Sequence, residues 1–233
     1  MKPRDPVAIE NLFNSISPKY DLLNDVFSFG LHRIWKRQLL IWLKPSLGEH
    51  WVDLCCGTGD LTLSLARLVH PEGSVLGVDF SHEQIELASK RTLKEPWLPI
   101  SWLKGDALNN GLPSELFDGV VMAYGLRNLA SPEAGLQEIR RLLKPGGKAG
   151  VLDFNNAVKG SIAAFFQKYY LRNLVVPIAS SVGLGKEYAY LEESLKHFPK
   201  ASEQEEMATG LGFREVNYNF LAGGQMGALI LKL

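Results

Sequence analysis

The chain has 233 residues, 46% of them hydrophobic, enough to bury one full-sized core and too few for a second large domain. Lysine plus arginine and aspartate plus glutamate each total 25, so the formal charge is +0 and no broad basic field exists to hold nucleic acid. The two cysteines, Cys55 and Cys56, are adjacent, a spacing that suits neither a disulfide framework nor paired metal ligands, and no metal is expected.

The chain opens on Met1-Lys2-Pro3-Arg4-Asp5-Pro6 and an amphipathic stretch rather than a basic-then-apolar leader, so a cytoplasmic location is expected. No uncharged apolar run reaches the length of about 18 residues that a spanning helix needs. The most apolar candidate, 161–185, is interrupted by Lys168, Arg172 and Pro177, so any meeting with a membrane is expected at its surface.

Residues 1–43 are rich in aromatics among polar groups and predict helices over 7–16 and 33–43 around a loop at 28–30. From residue 51 the pattern alternates. Strands are predicted over 51–54, 75–78, 100–103, 117–122 and 149–154, and helices over 61–69, 83–94 and 132–143. Ser81 and Ser131 are placed to cap two of these helices, with Pro132 at a first helical position, and Lys144-Pro145-Gly146-Gly147 stops the last. Residues 155–200 form an insertion without strand signal. A helix over 202–211 and two strands over 214–220 and 226–231, joined by Ala222-Gly223-Gly224-Gln225, close the chain as an antiparallel hairpin at the sheet edge.

Such alternation predicts an α/β fold: a mostly parallel, seven-stranded, Rossmann-like sheet with helices on both faces. One domain is expected over 1–233: a helical cover (1–50), a cofactor-binding core (51–154), an insertion forming a substrate wall (155–200), and the final helix and hairpin (201–233).

The chemistry concentrates at residues 52–60, VDLCCGTGD, where an apolar strand with Asp53 runs into Gly57-Thr58-Gly59 and then a helix. Glycines there let a ligand approach the backbone. Asp79 ends the next strand, about 20 residues on, the spacing at which a carboxylate accepts both hydroxyls of a ribose. A dinucleotide fingerprint needs a third glycine where Thr62 stands, and Asp60 sets a negative charge where phosphates would lie. S-adenosylmethionine, with a ribose, no phosphate and a cationic end for Asp53 or Asp60 to face, fits better. Asp106, after the third strand, reads equally well as acceptor of an adenine amine beside Ala107 or as a turn cap.

Several motifs carry a resemblance. They are Tyr20-Asp21-Leu22-Leu23-Asn24-Asp25, His32-Arg33-Ile34-Trp35-Lys36, Gly125-Leu126-Arg127-Asn128, Leu143-Lys144-Pro145-Gly146-Gly147, and Tyr190-Leu191 with Ser194 and Phe198-Pro199. With them the chain resembles class I S-adenosylmethionine methyltransferases, and more narrowly the ubiquinone/menaquinone biosynthesis C-methyltransferase family, over nearly its whole length. Leu54-Cys55-Cys56-Gly57-Thr58-Gly59-Asp60 and Gly223-Gly224-Gln225-Met226-Gly227 look most like its phylloquinone branch.

The resemblance implies cofactor contacts at Gly57, Thr58, Gly59, Asp79, Asp106, Ala107 and Ala123. Cys55 stands where the broad pattern has its first glycine, and Ala123 where relatives carry serine. It implies methylation of a prenylated quinol ring, demethylphylloquinol to phylloquinol, with Arg127 and Asn128 at the quinol oxygen and Tyr20 as their tyrosine partner. An ion pair of Arg127 with Asp153 or Glu138 is the structural alternative. His32, Tyr188 and Tyr190 are further substrate candidates, and Phe165 and Tyr169 are expected to wall an isoprenoid tail. Weak membrane-surface association follows from that tail. A demethylmenaquinol, a benzoquinol or another small acceptor, a non-catalytic cofactor-binding subunit, and a homodimer all remain open.

Overall fold

The computed structural model describes residues 28, 30–156 and 194–233. The expected helix over 7–16 and the candidates Tyr20, Phe165, Tyr169, Tyr188 and Tyr190 lie outside the described residues.

The first described helix, α1 (Leu31–Leu43), leads into β1 (His50–Leu54), α2 (Asp60–Val69), β2 (Ser74–Asp79), α3 (His82–Thr92), β3 (Ile100–Lys104) and β4 (Phe117–Ala123). Then come α4 (Pro132–Leu142), β5 (Leu143–Phe154), α5 (Ala201–Gly210), β6 (Glu215–Leu221) and β7 (Met226–Lys232). The strands form one seven-stranded sheet in the order β3-β2-β1-β4-β5-β7-β6. β1 through β5 pair in parallel, whereas β7 enters antiparallel between β5 and β6. The expected seven-stranded, mostly parallel sheet with its terminal hairpin is therefore what the chain forms.

Local sequence accounts for the helix starts. The Ser81 hydroxyl accepts from the Gln84 N–H, and the Ser131 hydroxyl accepts from the Ala134 N–H, each satisfying an orphan donor of a first helical turn. Strand 5 starts earlier than expected. The Lys144-Pro145-Gly146-Gly147 stretch is not a loop but an irregular run of β5, because Leu143 already pairs with Phe117 and the register shifts before Gly119 meets Lys148. The Lys144 ammonium holds the Asp118 carboxylate at 2.8 and 2.9 Å across that irregularity.

Both sheet faces are buried, as a parallel sheet requires. Val52, Leu54, Val120 and Met122 face a core with Leu136, Ile139 and Leu142 of α4 and Ala208 of α5. Trp51, Val121 and Leu152 face the other core with Leu39 and Leu43 of α1 and Leu61 and Leu65 of α2. α1 lies close on β5: a Cβ added to Gly150 would stand 2.8 Å from Leu39 and Leu43 methyls. α1 is thereby packed on β5, and its Lys36 reaches Asp60 at the start of α2. Among the described residues, no helix is long and apolar enough to cross a membrane.

Candidate active site

The carboxyl ends of neighbouring strands bring together Asp53 from β1, Asp79 from β2, Asp106 just past β3, Ala123 from β4 and Asp153 from β5. Their fields meet at Cys55, whose thiol is pushed well above its ordinary range by burial and then by Asp79, Asp53, Asp106 and Asp153. Cys55 adopts φ 58, a left-handed conformation that glycine takes more easily. It fits because Gly125 lies opposite: a Cβ on Gly125 would stand 2.7 Å from the Cys55 Cβ. Cys55 therefore packs against the β4 loop, as expected of a residue in the first glycine's place.

The loop is held by its own backbone. The Gly57 N–H donates to Asp79 Oδ2 at 2.8 Å, and the Gly59 N–H donates to the Cys56 carbonyl at 3.0 Å. Gly59, at φ 81, begins α2, and a Cβ there would stand 2.4 Å from the Trp102 ring. Gly59 thus serves the packing of Trp102 under the loop as well as the turn. The Asp79 carboxylate also accepts from the Ser81 N–H at 3.0 Å. Burial pushes its pKa up to about 6, against the lowering by the Ser81 and Gly57 amides.

Asp53 is buried at 1% exposure, and its Oδ2 accepts from the Thr62 hydroxyl at 2.6 Å. Burial raises its pKa to about 7, opposed by the Thr62 hydrogen bond and the Lys36 charge and reinforced by Asp79. Thr62, read from sequence only as a missing third glycine, is the residue that orients this acid.

Asp60 is a correction. It was expected to turn a bare charge toward a ligand, but Arg91 of α3 and Lys36 of α1 both pair with it. Burial alone would raise its pKa, and these two cations overrule that and hold it at about 2. Asp106 is exposed and closes a turn, its Oδ1 accepting from the Leu108 N–H at 2.9 Å, with Ala107 buried beside it. The turn-cap alternative is realised in this arrangement.

At the end of β4 the chain makes a second left-handed turn at Tyr124, φ 63. That conformation costs a non-glycine residue on the order of 1 kcal/mol or more. It directs the Tyr124 carbonyl to accept from Arg127 Nη1 at 2.9 Å and from Asn128 Nδ2 at 3.1 Å. Asp153 completes the clasp: its Oδ1 accepts from Arg127 Nη1 at 2.6 Å and its Oδ2 from the Arg127 N–H at 3.1 Å. The guanidinium lies 5.2 Å from the Phe154 ring centroid. Of the two ion pairs weighed for Arg127, that with Asp153 forms, while Glu138 pairs with Arg141. His32 is buried at 3% exposure near the start of α1, and its backbone N–H donates to the Ser28 hydroxyl at 3.2 Å.

Sequence reading missed Thr62, Tyr124 and Arg91 as parts of the site. The two acids at adjacent strand ends were visible, but Thr62 reaches Asp53 from a helix turn, Tyr124 holds Arg127 and Asn128 from a strained strand end, and Arg91 reaches Thr58 and Asp60 from a different helix. Only Lys36, inside His32-Arg33-Ile34-Trp35-Lys36, lay in a motif already singled out.

Comparison with known proteins agrees with this architecture. A family model described as the ubiE/COQ5 methyltransferase family matches residues 2–230. A Nostoc punctiforme protein named 2-phytyl-1,4-naphtoquinone methyltransferase is 44% identical over 96% of this chain and 97% of its own length. An Arabidopsis thaliana protein named 2-phytyl-1,4-beta-naphthoquinone methyltransferase, chloroplastic, is 40% identical over 94% of this chain and 85% of its own. In fold the chain is similar to a SAM dependent methyltransferase from Aquifex aeolicus, with TM-score 0.61 and 18% identity, covering 84% of this chain and 88% of that one. With the carboxyl-end acids, the glycine loop and the Gly125–Asn128 turn on one sheet end, the chain belongs to the ubiE/COQ5 methyltransferase family.

Proposed function

We propose that this chain is an S-adenosylmethionine-dependent C-methyltransferase that methylates the ring of a reduced 2-phytyl-1,4-naphthoquinone. The observation that carries the cofactor half is the pair of buried acids Asp53 and Asp79, with pKa values raised to about 7 and about 6 at adjacent strand ends. A site of that kind favours a cationic ligand, and S-adenosylmethionine brings a sulfonium and an ammonium. A dinucleotide fits worse. The Gly57 and Gly59 N–H groups, which would cradle a pyrophosphate, are already spent on Asp79 and Cys56.

The residues present suit that cofactor. Asp79, its carboxylate aligned by the Gly57 and Ser81 amides, keeps a second lone pair on each oxygen for the ribose hydroxyls. Asp53, held by Thr62, is the acid for the cationic end, and Asp106, Ala107 and Ala123 border the adenine side. The bound cofactor supplies an electrophilic methyl group. The acceptor carbon must be electron-rich, so the substrate is the quinol and not the quinone.

Arg127 acts here as an oriented donor to the quinol oxygen. Asp153 offsets its charge, so it stabilises a developing phenolate by direct hydrogen bonding more than by a bare positive field. An arginine with pKa above about 12 does not serve as the base. The hydroxyl proton leaves through water, with Asn128 holding the same oxygen and Tyr20 as the tyrosine partner of the pair. Loss of the ring proton at the methylated carbon then restores the aromatic ring. Because the phytyl tail resides in a bilayer, the enzyme meets its substrate at the cytoplasmic membrane surface.

The test is product identification. The protein, labelled S-adenosylmethionine and demethylated naphthoquinones with phytyl or polyprenyl tails are incubated with and without dithionite. Ring-methylated phytyl product is expected only in the reduced reactions. Label transfer to the oxidised quinone, or transfer only to the polyprenyl acceptors, refutes the substrate assignment.

A further inference from the structure

The glycine loop is pinned from two sides, and only one of them belongs to the cofactor pocket. On the inner side Asp79 takes the Gly57 N–H. On the outer side Arg91, in the last turn of α3, reaches back to the loop. Its Nη1 donates to the Thr58 carbonyl at 3.0 Å and to the Thr58 hydroxyl at 2.9 Å, and its Nη2 donates to Asp60 Oδ1. One guanidinium thus holds three acceptors on two successive turns of chain, which its planar fork permits and a lysine ammonium does not.

The helix is positioned for this. Gln84 and Ala88, two turns and one turn before Arg91 on the same face of α3, are buried. The Ala88 Cβ lies 3.3 Å from where a Gly59 Cβ would stand, so that face of α3 looks at the loop. Asp60 is shared: the Lys36 ammonium of α1 lies 3.4 Å from its Oδ2 and 6.0 Å from the Tyr124 ring centroid. Elements from three places in the sequence therefore converge on Thr58-Gly59-Asp60.

The physical need is plain. Thr58 stands between two glycines, both at positive φ, so the loop has little intrinsic preference for one conformation. A flip of the Thr58 peptide would break the Gly59-to-Cys56 turn and loosen the Gly57 N–H from Asp79. We propose that Arg91 is a positioning residue for cofactor binding: by holding the Thr58 carbonyl and hydroxyl and the Asp60 carboxylate at once, it keeps the glycine loop in the one shape in which Asp79 is aligned. The proposal rests on the cofactor reading above. It places the effect in cofactor affinity and not in the chemical step, because the Arg91 guanidinium holds Thr58 and Asp60 beside β1, whereas the Arg127–Asp153 clasp joins the ends of β4 and β5.

Isothermal titration of S-adenosylhomocysteine into wild type, Arg91→Met, Arg91→Lys and Asp60→Asn, with kcat measured at saturating S-adenosylmethionine, tests it. Arg91→Met is expected to weaken binding about tenfold with kcat within about twofold of wild type, the loss expected when charge-assisted hydrogen bonds to a loop are removed. Arg91→Lys falls between, since one ammonium serves fewer of the three acceptors. Asp60→Asn loses less than Arg91→Met, because Thr58 stays held. Wild-type affinity in Arg91→Met, or in Arg91→Lys should the first variant not fold, overturns the proposal. So does an Asp60→Asn loss as large as that of Arg91→Met, which would make a helix-to-helix ion pair the whole cause. A wild-type protein that binds no S-adenosylhomocysteine refutes the cofactor reading itself.

Discussion

Asp53 combines burial at 1% exposure with a single hydroxyl donor, and the consequence is a pH-dependent cost. Its carboxyl ionises near pH 3.8 when unconstrained and at about 7 in the fold. Between those values the native chain holds a proton that the unfolded chain has released, so stability falls as pH rises through that window. Asp53→Asn keeps an acceptor for Thr62 and removes the titration. The melting temperature of Asp53→Asn relative to wild type is therefore expected to be higher at pH 8 than at pH 5, and circular-dichroism melts at the two values check it. An equal difference at both would mean that Asp53 ionises freely. Asp60 behaves oppositely: two cations hold it at about 2, so its contribution is present above the ordinary carboxylate range and fades only in strong acid. Two neighbouring aspartates with one charge type in sequence thus have opposite electrostatics, one buried with its pKa raised and one paired with two cations and lowered.

At the scale of elements, the site is made by strand ends that turn too sharply for ordinary residues. Cys55 and Tyr124 both sit at positive φ; Cys55 finds room against Gly125 across the β1–β4 boundary, and Tyr124 finds partners in Arg127 and Asn128 of its own turn. The Cys55 side chain occupies the space that Gly125 leaves, so Gly125→Ala is expected to push β1's loop away from β4. Overpacking of this kind costs about 1–3 kcal/mol. Cys55→Gly in the same protein relieves the collision with Cys55 and the left-handed strain, leaving only Met122 Cγ, 2.9 Å from the added Cβ, to give way, and it should recover part of the loss in a urea titration. A double variant no more stable than Gly125→Ala would locate the damage elsewhere. The helices were easier to read than the strand ends. Ser81, Ser131 and Pro132 announce their helices because capping is a local matter of one side chain and the next three amides. The Lys144–Gly147 run does stop the helix, which ends at Leu142, but the strand begins at once and not at 149, because pairing of Leu143 with Phe117 across the sheet is invisible in the local sequence.

At the scale of the molecule, the proposed cofactor residues are spread over β1, β2, β4 and the turns after β1 and β3, so a ligand bound to them holds together most of the sheet's carboxyl edge. S-adenosylmethionine at a fixed concentration a hundred times its Kd at pH 8 is expected to raise the unfolding free energy by about 2.7 kcal/mol at that pH, and by less at pH 6, because Asp53 must ionise to meet a cation. Thermal shift at both pH values checks this, and a shift that does not grow with pH would count against Asp53 as the acid at the cationic end.

The sequence by itself determined the α/β order, the strand that carries Asp53, the glycine turn, the ribose-spaced Asp79 and the membership implied by Gly125-Leu126-Arg127-Asn128 and its companion motifs. These are periodicities and short spacings, and both are set within a few residues along the chain. Only the tertiary structure decided what the charges do. Whether Asp60 faces a ligand or Arg91, whether Arg127 pairs with Asp153 or Glu138, and what Thr62 is for, all depend on contacts between residues 9 to 31 positions apart. Such contacts exist only once the sheet has brought its strand ends together.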